Sequence, residues 1–497
     1  MIPLIKGSVV AIYPDDINTD DIIPAWTLQE STEKDFFGKY AFSNYDQNFV
    51  AGCKKNRSNI IVAGNNFGCG SSREQAVYAL LANNVKVVIA KSFPDIFYRN
   101  ALNNGLILIT LAKITGFKKS NNITIDLNKK IIINNNKQIE FLLSKVELNN
   151  YTAGGKINRV KQDLANRKQT DNKIKTKSSK PQTIVEKIIS IKTKKTVFAG
   201  EYLDKIPIDT LFFNEVIGPP AIKYFQNSFS KVFDNKKIFF IPDHTVPSSS
   251  VWVSEGITIM ENFAKVHKIK CYKEGDGIEH IVLMEDGYII PGNIILGTDS
   301  HTDTNGALNC LSFGVGKTDA YLALASGYLY DFFVPGTIRI NLTGNFTKGV
   351  YAKDMILSII GKYGVDYAVN KVLEFGGPAL PNLSIDARTT IANMEVEMGA
   401  RTAIFEYDQI LEKYLESKFT KHDHPIFPDK NCPYHTVLKI DLSSIEPCVA
   451  FPHKPGNVTT ISKIKQYMKY TQKSKKADLV KVTTLNISDA FIGACTN

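Results

Sequence analysis

Apolar and polar positions follow two regular patterns along this chain. Short apolar runs such as Ile60-Ile61-Val62-Ala63 and Lys86-Val87-Val88-Ile89-Ala90 have the length and flanks of buried strands. Between them Ala76, Ala79 and Leu80 recur at helical spacing, and Ser71 and Glu74 have the spacing of a capping box, so a helix is predicted from there to about Ala82. The glycine-rich stretch in front of that helix therefore occupies a strand-to-helix corner. Asn122-Ile123-Thr124-Ile125-Asp126 and Lys130-Ile131-Ile132-Ile133-Asn134 predict a hairpin. Thr183 to Ile189 opens another amphipathic helix. Beyond it, strands such as Lys237–Ile241 and Asn293–Leu296 alternate with helical stretches such as 353–361. That is the pattern of layered α/β architecture.

The periodicity lapses once. Gln162 to Gln182 is rich in Lys, Asn, Gln, Ser and Thr with almost no large apolar side chains, the composition of a linker. The expected organisation is a compact α/β domain over 1–161, a flexible basic linker over 162–182 and a multi-layer α/β region over 183–497. A length of 497 residues agrees with two or three domains. Hydrophobic content of 43% with 22% charged residues places the chain among soluble globular proteins. With no run of about 18 apolar residues, no membrane span is expected. The start, Met1 to Gly7, lacks a signal-peptide core, so the expected location is cytoplasmic. Seven cysteines without a Cys-x-x-Cys pair argue against a disulfide framework, a zinc ribbon and thioredoxin-like chemistry. Of the formal charge of +11, residues 156–195 account for +10, with thirteen Lys/Arg against Asp163, Asp171 and Glu186. A basic run of low apolar content reads as a solvated connector, so nucleic-acid binding is not expected of the near-neutral remainder.

Chemistry concentrates in a few stretches. In Asn65-Asn66-Phe67-Gly68-Cys69-Gly70-Ser71-Ser72-Arg73-Glu74, glycines allow close backbone approach and the helix start offers free N–H donors. Arg73 adds a planar fork suited to a carboxylate. The plain alternative is a helix cap with a surface arginine. A phosphate loop is disfavoured because Gly-Lys-Ser/Thr is missing, and a hydrolase elbow because Gly-x-Ser-x-Gly fails. In the second half, Asp243-His244 follows an apolar strand, His280 precedes another, and Asp299-Ser300-His301 ends that one. Ligands collect at strand ends in open α/β sheets. One histidine alone is commonly structural; three, two of them beside aspartates that fix a tautomer, point to proton transfer. Asn393 and Glu397 are four apart, on one face if helical. Asp20, in Asp16-Ile17-Asn18-Thr19-Asp20-Asp21, reads alone as part of an acidic turn, and Cys495 is the third residue from the end of the sequence.

Taken together, Gly68-x-Gly70-Ser71-Ser72-Arg73-Glu74, Gly297-Thr298-Asp299-Ser300-His301-Thr302, Asn393-Met394-Glu395-Val396-Glu397 and Ile492-Gly493-Ala494-Cys495-Thr496-Asn497 resemble the aconitase/isopropylmalate dehydratase family. The resemblance implies a small-subunit-like swivel domain fused ahead of a large-subunit part. It implies Ser71 as catalytic base, Ser72 and Arg73 as substrate contacts, and Asp20 as a functional aspartate. Asp243, His244, His280, Asp299 and His301 would be proton-transfer partners, Ser300 a substrate contact, and Asn393 and Glu397 part of the cluster environment. Cys495 would be the first of three thiolates for a [4Fe–4S] cluster, with the other two on a downstream Cys-x-x-Cys. No such pair follows, so the expectation is a truncated large-subunit part that does not hold the cluster alone and is completed by a C-terminal chain. The implied activity is that of a hydro-lyase acting on a small hydroxy acid, of the 3-isopropylmalate dehydratase type and thus in leucine biosynthesis. Thr27-Leu28 departs from the family's specificity segment, so homoaconitase, aconitase and methylmalate dehydratase stay open. So do an inactive fragment or half of a split enzyme, and an RNA-binding apo-form.

Overall fold

The computed structural model describes residues 4–30, 34–69, 74–135, 137–166, 180–365, 367–418, 425–451, 455–464 and 496. The chain divides into two compact units between Gln169 and Thr170. Among the described residues the first unit carries β1 (Ile5–Tyr13), β2 (Asn59–Ala63), β3 (Val85–Ala90), β4 (Ile107–Thr110), β5 (Asn122–Asp126), β6 (Ile131–Asn134) and β7 (Lys137–Glu140). They form one sheet in the order β4-β3-β2-β1-β5-β6-β7. β1 to β4 are parallel neighbours, and the predicted hairpin appears as antiparallel β5 and β6. The apolar runs are unbroken because both faces are covered. Ile61 and Ala63 pack with Phe37, Phe67 and Leu80 on one side. Ile60 and Val62 pack with Phe117, Leu143 and Tyr151 on the other. The helix behind the glycine loop runs Glu74–Ala82, with Ala76, Ala79 and Leu80 buried.

The expected linker boundaries need correction. Residues 162–165 complete a helix, Lys156–Ala165, in which Lys156 and Arg159 are buried; Arg159 Nη1 donates to Asn150 Oδ1 at 3.0 Å. At the other end the buried Gln182 amide donates to Ser190 Oγ and Val197 O, both at 2.8 Å, and Thr183 caps the helix Ile184–Thr193 through a capping box with Glu186. Long Lys and Arg side chains bury their stems, so polar composition hides such packed ends. Residues 167–179 lie outside the described residues. Lys187 and Lys192 pair with Asp429 and Asp209, each at 2.6 Å, so this end of the basic run is matched by acids of its own fold.

The second unit contains β8 (Tyr202–Pro207), β9 (Thr210–Phe213), β10 (Ile238–Phe240), β11 (Lys270–Cys271), β12 (Ile294–Gly297), β13 (Leu311–Gly314), β14 (Tyr328–Phe333), β15 (Gly336–Thr343), β16 (Lys371–Gly376), β17 (Thr402–Phe405) and β18 (Thr436–Asp441). Among the described residues these make two parallel sheets, β11-β10-β9-β12-β13 and β17-β16-β15-β18, and an antiparallel ribbon of β8 with β14. This is the expected layered α/β arrangement. In the five-stranded sheet the chain builds outward from β9 in one direction, then resumes with β12 on its other side. Such a reversal opens a crevice at the carboxyl ends of the two strands. Among the described residues no helix is long and apolar enough to cross a membrane.

Candidate active site

Three adjacent strands of that sheet end in polar residues. β9 runs into Asn214-Glu215, β10 leads to Asp243-His244, and β12 runs into Thr298-Asp299-Ser300-His301. Parallel pairing of Leu296 with Leu211 and Gly297 with Phe212 brings the first and third ends side by side, where Asn214 N donates to Thr298 Oγ1 at 3.1 Å. His280 joins from the start of the helix Glu279–Glu285.

The resulting network centres on His244 and Asp299. His244 Nδ1 is 2.6 Å from Asp243 Oδ1, and its Nε2 is 3.0 Å from Asp299 Oδ2. The other Asp299 oxygen lies 3.2 Å from His280 Nε2 and 3.4 Å from His301 Nδ1, and accepts the His301 backbone N–H at 2.8 Å. Ser300 is exposed, its Oγ 3.4 Å from His301 Nδ1. Hydrogen bonds to Asp243 and then Asp299 outweigh burial and push the His244 imidazole up to about 11. Burial opposes the charge of Asp299, but hydrogen bonds from His244, His280 and His301 overcome it and hold the carboxyl far below the usual range. The two form a charged pair near neutral pH.

Two carboxylates overlooked in the sequence reading complete the network. Glu279 is fully buried. Its backbone N–H donates to Asp243 Oδ2 at 2.7 Å, and its Oε1 accepts from Asn214 Nδ2 at 3.3 Å. Burial, then the charges of Asp243 and Asp299, push its carboxyl well above its ordinary value. Glu279 Oε2 and His280 Nδ1 are buried without a hydrogen-bond partner. Glu215, also buried, accepts the backbone N–H groups of Asp243 at 3.1 Å and Thr245 at 2.5 Å. The strand-end rule that singles out Asp243 and Asp299 applies equally to Asn214-Glu215, and that signal was available.

Asn393 and Glu397 do not share one helical face. The helix Ile385–Met394 stops between them, and Glu395–Met398 is a 3₁₀ turn closed by Gly399 at φ 71°. With three residues per turn rather than 3.6, the i,i+4 alignment is lost. Asn393 is buried and its Nδ2 donates to Thr304 Oγ1 at 2.9 Å, linking it to the segment that begins at Ser300. Glu397 is half-buried on the turn. Glu395 is the fully buried one, its carboxyl meeting that of Asp303. Burial pushes both up, Glu395 to about 8 and Asp303, with Glu395 beside it, well above its ordinary value.

In the first unit, the loops after parallel β1 and β2 are stitched together. Gly68 N donates to Ile17 O and Thr19 N to Cys69 O, both at 2.7 Å. Gly68 has φ 86°, and a Cβ there would collide with the Phe97 ring. Asp20 sits exposed on the short helix Thr19–Ile22, capped by Asn18, beside the loop that leads to Ser71. Ser71, Ser72, Arg73 and Cys495 lie outside the described residues.

Residues 185–497 match the model of the aconitase family (aconitate hydratase). The chain belongs to the aconitase family. Residues 25–114 match the aconitase C-terminal domain, which here comes first in the chain. The 3-isopropylmalate dehydratase large subunit of Caldanaerobacter subterraneus subsp. tengcongensis is 41% identical over 319 residues, covering 63% of this chain and 71% of that protein. The large subunits from Hydrogenobaculum sp. and Wolinella succinogenes are 39% and 37% identical, covering 63% and 64% of this chain and 70% and 72% of theirs. A solved 3-isopropylmalate dehydratase from Methanocaldococcus jannaschii is 40% identical, covering 33% of this chain and 96% of that one, with a TM-score of 0.30.

This aconitase-family chain is accordingly a hydro-lyase, and its family implies a [4Fe–4S] cluster, a group held by converging thiolates. The described residues do not fit that group. Among them, the side-chain sets close enough to hold a metal ion are His280/Asp299/His301, Glu215/Asp243/His244 and His244/Glu279/Asp299, nitrogen and oxygen donors only. Burial pushes Cys271 up to about 11 and Cys53 to about 12. It raises Cys310, Cys432 and Cys448 too, and Cys310 and Cys432 donate to backbone carbonyls. These are structural thiols. Cys495 alone stands in the family's cluster motif.

Proposed function

We propose that this aconitase-family chain dehydrates and rehydrates a hydroxy di- or tricarboxylic acid of the 3-isopropylmalate class, shifting its hydroxyl to the neighbouring carbon. The observation that carries the reading is the His244 imidazole held between Asp243 and Asp299 at the strand switch, in a chain whose relatives are named 3-isopropylmalate dehydratase large subunit. Loss of water needs a proton for the departing hydroxide. Water has a pKa of about 15.7, so an imidazolium at about 11 surrenders its proton favourably to hydroxide yet keeps it at neutral pH. Asp299 orients that imidazole and is itself fixed by His280 and His301.

In the same reading Ser71 takes the carbon-bound proton, Ser72 and Arg73 hold a substrate carboxylate, Ser300 contacts substrate, Asp20 is a functional aspartate, and Asn393 and Glu397 belong to the cluster environment. The 25–114 match supports the view that this polypeptide brings its own small-subunit counterpart to the large-subunit part. A cytoplasmic setting belongs to the same proposal.

The test is anaerobic iron–sulfide reconstitution of this chain together with the complementing C-terminal chain expected above, followed by isomerisation assays on 3-isopropylmalate, homocitrate, citrate and methylmalate. Fastest turnover is expected with 3-isopropylmalate, together with a loss of about 10²-fold or more in kcat for His244→Gln and Ser71→Ala, the usual worth of a proton-transfer group. Fastest turnover of another of these acids would reassign the substrate. A folded, reconstituted protein that turns over none would end the reading.

A further inference from the structure

Glu215 brackets His244 without touching it. One carboxylate oxygen accepts the N–H of the residue before the histidine and the other accepts the N–H of the residue after it. The carboxylate is buried at the end of β9, whereas the 243–245 segment it grips has left β10. The grip therefore ties a loop to the neighbouring strand of the sheet. Beside it, the Asn214 side chain accepts the N–H groups of Val216 at 3.2 Å and Ile217 at 3.1 Å and donates to Glu279, so the base of the clamp is fixed in turn. A two-point grip on alternate amides leaves the intervening residue little freedom to rotate. Hydrogen bonds from N–H to a carboxylate are also about twice as strong as neutral ones.

We propose that Glu215 is the positioning residue that aims the Asp243–His244 pair at Asp299 and the reacting hydroxyl. The catalytic part of this inference rests on the hydro-lyase reading; the clamp itself does not. Glu215→Gln offers one acceptor oxygen where two are needed, Glu215→Asp is too short to span both amides, and Glu215→Ala removes the grip.

Hydrogen exchange on the full chain reads the clamp directly. Peptides containing the Asp243 and Thr245 amides should exchange roughly tenfold or more faster in Glu215→Ala, with Glu215→Gln intermediate, the size expected for losing bonds to a charged acceptor. Where the wild type is active, kcat should fall at least about tenfold in Glu215→Ala while KM stays within about twofold, because orientation of an acid affects turnover more than binding. Unchanged exchange at the two amides overturns the proposal. So does a loss carried wholly by KM, or one matching a fall in folded fraction. Failure of the hydro-lyase reading would appear separately, as an inactive wild type whose amides still respond to Glu215→Ala.

Discussion

His244 Nε2 lies 3.0 Å from Asp299 Oδ2, a contact between residues 55 positions apart. It reaches from the end of β10 past β9 to the end of β12. Because the other ring nitrogen meets Asp243, the imidazole is charged on account of where it sits, and removing one carboxylate should show in its proton affinity.

That gives a pH signature. His244 rises in the fold from about 6.5 to about 11, so its contribution to stability is complete below about pH 6.5 and is lost as pH climbs through 11. Asp299 is depressed, so its contribution is present above about pH 3.9 and lost as pH falls well below that value. Asp299→Asn should therefore be less stable than wild type near neutrality, with the gap closing towards pH 11. Urea midpoints of both proteins across that range measure it. A constant gap would mean that His244 is uncharged in the native protein.

Glu279→Gln should be nearly silent. Burial and the charges of Asp243 and Asp299 push its carboxyl towards the protonated form, which an amide resembles, and Gln can still accept from Asn214. Unfolding free energy within about 1 kcal/mol of wild type is expected, with turnover preserved. A loss of turnover of tenfold or more would show that Glu279 is ionised, or gives up a proton, during the reaction.

Asp408 should matter for stability far from the chemistry. It holds the fully buried Arg388 by two bonds, at 2.9 and 2.6 Å, and caps the helix Gln409–Glu416 by accepting from Leu411 N. Arg388 stands on the helix that ends at Asn393–Met394. Asp408→Ala leaves a buried guanidinium uncompensated, which costs about 3–5 kcal/mol. Denaturant unfolding checks the value; a cost below about 1 kcal/mol would mean that Arg388 finds other acceptors.

Serine substitutions should separate structural thiols from a cluster ligand. Cys271, Cys310, Cys432 and Cys448 replaced singly should leave iron and sulfide uptake unchanged, since none belongs to a metal-competent set among the described residues. With the complementing C-terminal chain present, Cys495→Ser should lower it. Visible absorption after anaerobic reconstitution reads both, and a loss on replacing Cys310 or Cys271 would overturn the assignment.

The strand runs and the polar dipeptides at strand ends are legible because parallel sheets bury their strands on both faces, so polarity returns abruptly where a strand stops. That alone leads to Asp243, His244, Asp299 and His301. Glu215 obeys the same strand-end rule, whereas Glu279 is harder: its partner Asp243 is 36 residues away, and a glutamate before His280 reads as ordinary until the sheet order is known. The break after Met394 is invisible to spacing because the same residues satisfy an α-helix and a 3₁₀ turn. The ends of the basic stretch mislead for a different reason, since buried lysine and arginine count as polar in any composition.

The convergence of three strand ends also says where this site can change. Shifting β12 by one residue against β9 would move Asp299 about 3.3 Å and turn it to the opposite face, so the register of Leu296 with Leu211 admits no drift. The short connection Thr245–Ser250, between the His244 segment and the helix Val251–His267, belongs to no strand and carries no such register, and doubling a loop costs only about 0.6 kcal/mol in closure entropy. Length can therefore change in that connection without disturbing the strand ends beneath it, where the proton-handling side chains are fixed by the sheet.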